Sequence, residues 1–281
     1  MTQKLFCFGQ GYSAQALVRH LHRQEEGSWQ VGGTSRTGGE NFLFDGTRPM
    51  ADAATRLGDV THMLISIAPQ ATGDPVLKFH GRDIAKLKNL QWLGYLSTTG
   101  IYGDRGGDWV DDNAAPAPTS DRGRQRLEAE RGWLQLFHDH GLPVHIFRLG
   151  SIYGPGRGHL ANLVSGRVTT VLRTDHFFSR IHVDDLAQAL MASIAAPCPG
   201  RSYNVVDDRP APSHEVLDYI CDLLGRPHLP RTETREMSAM MKSFYGENKR
   251  VDNGRLTREL GISLKYPTYK EGFSHLVRTL P

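Results

Sequence analysis

The sequence predicts an α/β protein built on a doubly wound parallel sheet, and three observations carry that prediction. Apolar runs of strand length alternate with longer amphipathic segments from the first residues onward. Most of these runs lack the polar–apolar alternation of a half-exposed strand, as expected of strands covered on both faces. A glycine-containing turn, Gly9-Gln10-Gly11-Tyr12-Ser13-Ala14, joins the first run directly to the first amphipathic segment.

Taken in order, the candidate strands lie at 5–8, 29–34, 42–44, 62–67, 91–96, 144–149 and 203–206. Ala14, Leu17, Val18 and Leu21 form an i, i+3, i+4, i+7 stripe, which places a helix after the first strand. The segment 122–140 sets Leu127, Leu134 and Phe137 on a comparable face. Beyond Gly154 the pattern changes. A loop at 154–158 precedes a helix-like stretch, then Arg180-Ile181-His182-Val183-Asp184-Asp185 and a helix through Ala195. After Val206 come proline-containing turns, a helix near 214–224 and a mixed tail. The expected organisation is a larger domain of residues 1–154 and 179–206 and a small substrate-binding lobe of 155–178 and 207–281.

Composition narrows the class. The chain has 281 residues, 39% apolar and 22% charged, ordinary values for a globular protein. Its 33 basic and 30 acidic residues are interspersed and give a net charge of +3, so neither nucleic acid nor an anionic membrane is an expected partner. The densest basic stretch, 122–131, contains Glu128 and Glu130 and reads as a charged helix face. The opening run Leu5-Phe6-Cys7-Phe8 is too short for a signal-peptide core, and no stretch approaches the ~18 apolar residues of a membrane helix. Cys7, Cys198 and Cys221 are widely separated and odd in number, which fits buried thiols in the cytoplasm. No C-x-x-C, H-E-x-x-H or EF-hand pattern suggests a metal, and neither a P-loop nor a G-x-S-x-G elbow is present. His138 and His140, two apart on a helix, cannot share a ligand face.

The turn at 9–14 has the form G-x-G-x-x-A between a buried strand and an amphipathic helix, the setting that a dinucleotide pyrophosphate requires. Gly9 permits the tight turn, Gly11 the close backbone approach, and Ala14 close packing of helix on strand. Tyr12 and Ser13 open the helix whose N-terminal N–H groups and dipole then hold the phosphates. The second strand ends Gly33-Thr34-Ser35-Arg36, without the acid that would take the 2′-hydroxyl of NAD. A guanidinium pairs with a 2′-phosphate in a bidentate way and Ser35 adds a hydrogen bond, so NADP is expected over NAD.

The chain also resembles the extended short-chain dehydrogenase/reductases of the NAD-dependent epimerase/dehydratase family. Leu96-Ser97-Thr98-Thr99-Gly100-Ile101-Tyr102-Gly103 is similar to that family's serine/threonine-rich strand end before a V-Y-G-D element. Arg148-Leu149-Gly150-Ser151-Ile152-Tyr153-Gly154-Pro155-Gly156 resembles its L-R-…-Y-G-P-G segment. Arg180 to Asp185 resembles I-H-V-D-D, and Tyr203-Asn204-Val205 resembles Y-N-V. The resemblance implies that Thr98 hydrogen-bonds the reacting substrate oxygen, that Asp45 contacts the adenine, and that Ala68 lies beside the cofactor ribose. It also implies either a monomer or a homodimer paired through the helices near 74–88 and 122–140.

The departure is catalytic. The family uses Tyr-x-x-x-Lys, whereas the matching segment here reads Ser120-Asp121-Arg122-Gly123-Arg124, with Glu128 at the later acidic position. No tyrosine occurs between Tyr102 and Tyr153, and no lysine between Lys88 and Lys242. Ser120 has no accessible anion near neutrality, and Arg124 can hold ribose hydroxyls but cannot move protons. Tyr102, Tyr153 and His182 are the candidates to take over, against packing or helix-capping roles for each. Arg157 in the 154–158 loop could meet an anionic substrate, or be a surface charge. Two functional classes result: an NADP-dependent oxidoreductase or epimerase-like enzyme on a polar small molecule, with a nucleotide sugar as candidate, and a non-catalytic redox sensor. A scaffold stabilised by its dinucleotide is the third.

Overall fold

The computed structural model describes residues 2–24, 28–172, 175–232 and 245–280. Strand β1 (Gln3–Phe8) leads into helix α1 (Tyr12–Gln24), and then β2 (Trp29–Ser35), β3 (Phe42–Leu43) and the short α2 (Ala53–Leu57) follow. Next come β4 (His62–Ile65), α3 (Pro75–Ile84), β5 (Trp92–Thr98), a 3-10 turn (Thr99–Tyr102), β6 (Trp109–Val110), α4 (Asp121–His140) and β7 (Val144–Leu149). The remainder comprises β8 (Ser151–Tyr153), α5 (His159–Val164), β9 (Val171–Leu172), β10 (Arg180–His182), α6 (Val183–Ala195), β11 (Ser202–Val205) and α7 (Ser213–Leu223). The described chain closes with β12 (Arg231–Thr232), β13 (Arg250–Val251), α8 (Gly254–Leu260) and α9 (Tyr269–Arg278).

Seven strands form one sheet in the order β11-β7-β5-β4-β1-β2-β3. The pairs β1–β2, β1–β4, β2–β3 and β4–β5 are all parallel. The order reverses between β1 and β4, the switch point beyond which open α/β sheets bind ligands. The doubly wound Rossmann arrangement expected from the alternation of runs is therefore present. Strands β4 and β7 are buried at every position, which is why they show no two-residue alternation.

The chain divides into two compact units. The first comprises Met1–Thr98, Asp121–Arg148 and Ala187–Tyr203. Its core gathers Phe6, Phe8, Ile65, Leu93, Tyr95, Trp133, Val144 and Ile146. Helix α3 starts where it does because Asp74 accepts the amides of Val76 and Leu77 at 2.8 and 3.0 Å, with Pro75 in the first helical turn. The second Asp74 oxygen receives the indole N–H of Trp133 at 3.3 Å, which ties α4 to the start of α3.

The second unit comprises Thr99–Ser120, Leu149–Leu186 and Asn204–Pro281. It holds three two-stranded parallel pairs, β8 with β10, β6 with β13 and β9 with β12. These strands are two or three residues long, too short for any hydrophobic period to mark them in the sequence. Its core joins Tyr153, Leu160, Val216, Ile220, Tyr269 and Phe273. Helix α9 opens with a reciprocal capping box between Thr268 and Glu271.

Two expectations change. Cys198 is exposed, whereas Cys7 and Cys221 are buried. The turn after α6 that carries Cys198 lies between two prolines, Pro197 and Pro199, and its amide is spent on His145 Nε2 at 2.9 Å. The inward face of α4 is centred on Gly123, Ala129, Glu130 and Trp133, with Leu134 and Phe137 at its margin. Among the described residues no helix is long and apolar enough to cross a membrane.

Candidate functional site

Within the first unit, Gly9, Arg36, Asp45, Ala68 and Thr98 follow or finish β1, β2, β3, β4 and β5. Since the strands are parallel, all five lie along one carboxyl edge of the sheet. Gly9 has φ 90°, and a Cβ there would come within 2.8 Å of Ser66 Oγ and 2.9 Å of Ile67 Cγ1. The turn is pinned from both neighbouring strands. The Gly9 amide donates to Thr34 Oγ1 at 2.9 Å, Gln10 N donates to the Thr34 carbonyl at 2.9 Å, and Ser66 Oγ donates to the Gly9 carbonyl at 2.5 Å. Gly11 is the opposite case, because a Cβ there would meet nothing within 4 Å. Tyr12 and Ser13 form the first turn of α1, which carries no acid, and Ala14 is wholly buried. The result is an open backbone cradle at a positive helix end, the arrangement that accommodates a pyrophosphate.

At the end of β2, Ser35 Oγ donates to the Gly38 carbonyl at 2.8 Å, so its hydroxyl must turn from that carbonyl to donate to a phosphate oxygen. Arg36 beside it is exposed. Asp45 is exposed too, and the amide and hydroxyl of Thr47, at 2.9 and 2.7 Å, hold its carboxyl below the usual range. Ala68 is exposed beyond β4, and Thr98 is half-buried at the end of β5.

Helix α4 places its charges differently from what residue types alone suggest. Arg124 sits at the surface, 2.5 Å from Asp121, and Glu128 is 75% exposed beside Arg131. The inward-turned cation is Arg126, whose guanidinium donates to the Leu96 carbonyl and lies 5.9 Å from the Tyr95 ring centre. Four residues on, Glu130 is buried beneath β5. It accepts from Ser97 Oγ at 2.5 Å and from Arg148 Nη2 and Nε at 3.0 and 3.3 Å. Ser97, Glu130 and Arg148 form a buried hydrogen-bonded cluster, with half-buried Arg126 on the adjoining strand end, and sequence reasoning did not single them out. The available signal was the four-residue spacing of Arg126 and Glu130, and an arginine inside a strand otherwise made of core residues.

The second unit holds Tyr102, Ser120, Arg157 and His182. Tyr102 is wholly buried on the 3-10 turn, and its hydroxyl donates to Asn204 Oδ1 at 2.8 Å. Ser120 hydrogen-bonds the Glu247 carboxylate, which also receives Thr119 Oγ1 at 3.0 Å and Lys249 Nζ at 2.9 Å. Burial would raise the Glu247 pKa, but these donors together hold it below its ordinary value. Lys249 is itself buried and donates to the Gly103 carbonyl at 2.8 Å, a placement that no spacing in the sequence announces. Burial pushes the Tyr153 phenol well up, and its ring packs on Phe273 and His182 with centres 4.6 and 5.2 Å apart. Arg157 is exposed on a tight turn closed by paired backbone bonds with Gly154.

His182 is buried, and its Nδ1 accepts the Asp184 amide at 3.2 Å. Desolvation lowers its pKa to about 4, so the ring is neutral at physiological pH. Asp185, in the same helical turn, accepts the amides of Lys265 and Tyr266 at 2.7 and 3.1 Å and ties the last loop to α6. Among the described residues no group of three or more His, Cys, Asp or Glu could hold a metal ion.

Sheet order, switch point and glycine turn define a Rossmann-type α/β protein. Residues 83–206 match the family described as "NAD dependent epimerase/dehydratase family". Protein YeeZ of Escherichia coli (strain K12) is 30% identical over 287 residues, covering 94% of this chain and 97% of its own. A functionally unknown conserved protein from Silicibacter pomeroyi superposes with a TM-score of 0.86 at 43% identity, over 99% of both chains. The human epimerase family protein SDR39U1, solved with NADPH, superposes with a TM-score of 0.75 at 17% identity, over 99% of this chain and 100% of its own. The chain belongs to the NAD-dependent epimerase/dehydratase family.

Proposed function

We propose that this chain binds a nicotinamide dinucleotide, NADP in preference to NAD, and acts as an oxidoreductase or epimerase-like enzyme on a small polar substrate, with a nucleotide sugar as candidate. The observation that carries the reading is the cradle at 9–14, where Gly9 is walled in and Gly11 is open on the side that a pyrophosphate would approach. Gly9, Gly11 and the amides of Tyr12 and Ser13 would hold the phosphates. Ser35 and Arg36 would take the 2′-phosphate, and no acid stands at the strand end to repel it. Asp45, kept ionised by Thr47, would accept from the adenine amine, and Ala68 would border a ribose.

When bound, the nicotinamide supplies hydride exchange with a carbinol or carbonyl carbon. Thr98 would orient the reacting oxygen of the substrate. Arg124, or Arg126 two residues on, would hold ribose hydroxyls, since a guanidinium donates but does not shuttle protons. Arg157 would meet an anionic part of the substrate, and His182, neutral, would serve as a hydrogen-bonding wall. The substrate lobe would be 155–178 and 207–281, in a cytoplasmic monomer or homodimer.

The sensor reading rests on a separate observation. The Tyr102 hydroxyl is committed to Asn204 and Ser120 to Glu247, so neither is poised as the acid or base that turnover needs. Titration calorimetry with NADPH and NADH tests the shared part. NADPH should bind at least about tenfold more tightly, and Arg36→Ala should erase that difference. Absence of binding to both would remove the cofactor assignment. Tight binding without turnover across a panel of sugar nucleotides would favour the sensor.

A further inference from the structure

The second unit carries a second concave site that the dinucleotide reading does not use. A cavity of about 470 Å³ opens beside α9, large enough for a small organic ligand. Its lining includes Tyr219, Lys265, Tyr266, Lys270, His275 and Arg278. Lys270, Ser274 and Arg278 recur every four residues and so stand in one column on α9, with Glu271 and His275 in the next.

The charge in this cavity is unbalanced. Glu271 is the single acid among the described lining residues. Its Oε2 is already taken by the amide and hydroxyl of Thr268 at 3.0 and 2.5 Å, in the capping box. Three fixed cations, Lys265, Lys270 and Arg278, line the same cavity. Lys265 is partly offset by Asp184 at 3.6 Å. Lys270 stands 5.7 Å from the Tyr219 ring centre, and that tyrosine is held by Ser274 Oγ at 2.8 Å. Tyr266 forms the floor, with Lys265 Nζ 5.0 Å and the His275 ring 5.3 Å from its centre.

Helix stability explains only part of this pattern. His275 and Arg278 lie in the last turn, where cations favour the helix dipole, but Lys270 lies in the first turn, where a cation opposes it. We propose that this cavity binds a small molecule carrying two or more phosphate groups, with Lys270, Arg278 and Lys265 as its cationic contacts and Tyr219 holding the Lys270 side of the wall. The site is independent of the dinucleotide cradle and stands whether or not that reading holds.

The test is titration calorimetry of the full chain with inorganic pyrophosphate, with sulfate and ADP titrated at matched ionic strength. Saturable pyrophosphate binding should weaken at least about tenfold in the doubly substituted Lys270→Gln/Arg278→Gln chain and persist in Gly11→Ala. ADP should bind with similar affinity and sulfate at least about tenfold more weakly, because one anionic group engages fewer of the cations. Backbone amide shifts in the unsubstituted protein, mapped during the same titration, should move in 265–278 and need no variant to fold. Pyrophosphate shifts confined to the 9–14 turn, binding unchanged in the double variant, or no saturable binding would each overturn the proposal. NADPH affinity measured in the double variant should stay unchanged, which separates this site's failure from failure of the dinucleotide reading.

Discussion

The turn after β1 and the first three turns of α4 belong to one compact unit, yet chemistry is written into them in different ways. In the turn, the decisive feature is missing atoms: Gly9 has φ 90° with Ser66 and Ile67 against the space a Cβ would fill, while Gly11 faces open space. In α4, it is helix phase. Glu128 and Glu130 are the same residue type two positions apart, but Glu128 is 75% exposed and Glu130 is buried against Ser97 and Arg148. A backbone requirement fixes the residue type where it occurs, whereas a helix-face requirement fixes only a spacing, and several charged residues can satisfy that spacing.

The largest expected effect strikes the α4 side. Glu130→Ala leaves the Arg148 guanidinium buried, with side-chain exposure of 9%, and strips its carboxylate partner. Breaking one partner of a buried pair costs on the order of 3–5 kcal/mol, so urea unfolding should show a loss of that size. Glu128→Ala, in an exposed pair with Arg131, should change stability by less than about 0.5 kcal/mol. Equal losses from the two substitutions would remove the distinction.

Acid should weaken the body of both units. Burial lowers His62, His145 and His182 to about 4. Their neutral form is preferred by the fold, so the unfolded chain binds more protons below its ordinary histidine pKa. Stability is then lost as pH falls from about 6.5 to about 4, by at most about 3 kcal/mol per histidine. Asp185 works in the opposite sense, since burial raises its pKa to about 6 and its protonated form favours folding as pH falls through that range. Burial lowers His80, His159 and His176 as well and raises Asp74 and Asp207, so six histidines stand against three carboxyls and a net loss on acidification is expected. Urea midpoints measured from pH 7.5 to 4.5 check the sign, and a flat or rising profile would contradict it.

Gly9→Ala comes next. It combines a backbone conformation that side chains rarely adopt with contacts below 3.0 Å to Ser66 and Ile67. A cost of about 1–3 kcal/mol is expected, with loss of dinucleotide affinity because the turn must shift.

The comparison also shows why some features were legible beforehand and others were not. The seven-stranded sheet was visible because buried parallel strands read as apolar runs, such as Leu5 to Phe8. The cradle was visible because Gly9, Gly11 and Ala14 answer local steric demands. The short strands β6, β8, β9, β10, β12 and β13 were hidden, because two or three residues carry no period. The Ser120–Glu247, Thr119–Glu247 and Lys249–Gly103 bonds each join residues more than 120 positions apart in the chain, and nothing local encodes such a meeting. At the start of α4, the sequence offered Arg122, Arg124 and Arg126 with Glu128 and Glu130 as interchangeable charges. Only the direction of Gly123, Ala129 and Trp133 into the core selects Arg126 and Glu130.

The smallest change in stability should come with one of the clearest functional effects. A Cβ at Gly11 meets nothing within 4 Å, and its φ does not fall in the left-handed region. Gly11→Ala should therefore leave the thermal midpoint within about 2 °C of the parent, the shift expected for a few tenths of a kcal/mol in a chain of this size. The added methyl would nevertheless occupy the space through which the pyrophosphate reaches the amides of α1, and NADPH affinity should fall by about tenfold or more. Normal stability with weakened binding would separate this glycine from Gly9, whose loss affects fold and cofactor together. Unchanged NADPH affinity in a stable Gly11→Ala protein would show that the phosphates lie elsewhere along the sheet edge. The open space at Gly11 would then belong to the packing of the turn and not to its ligand.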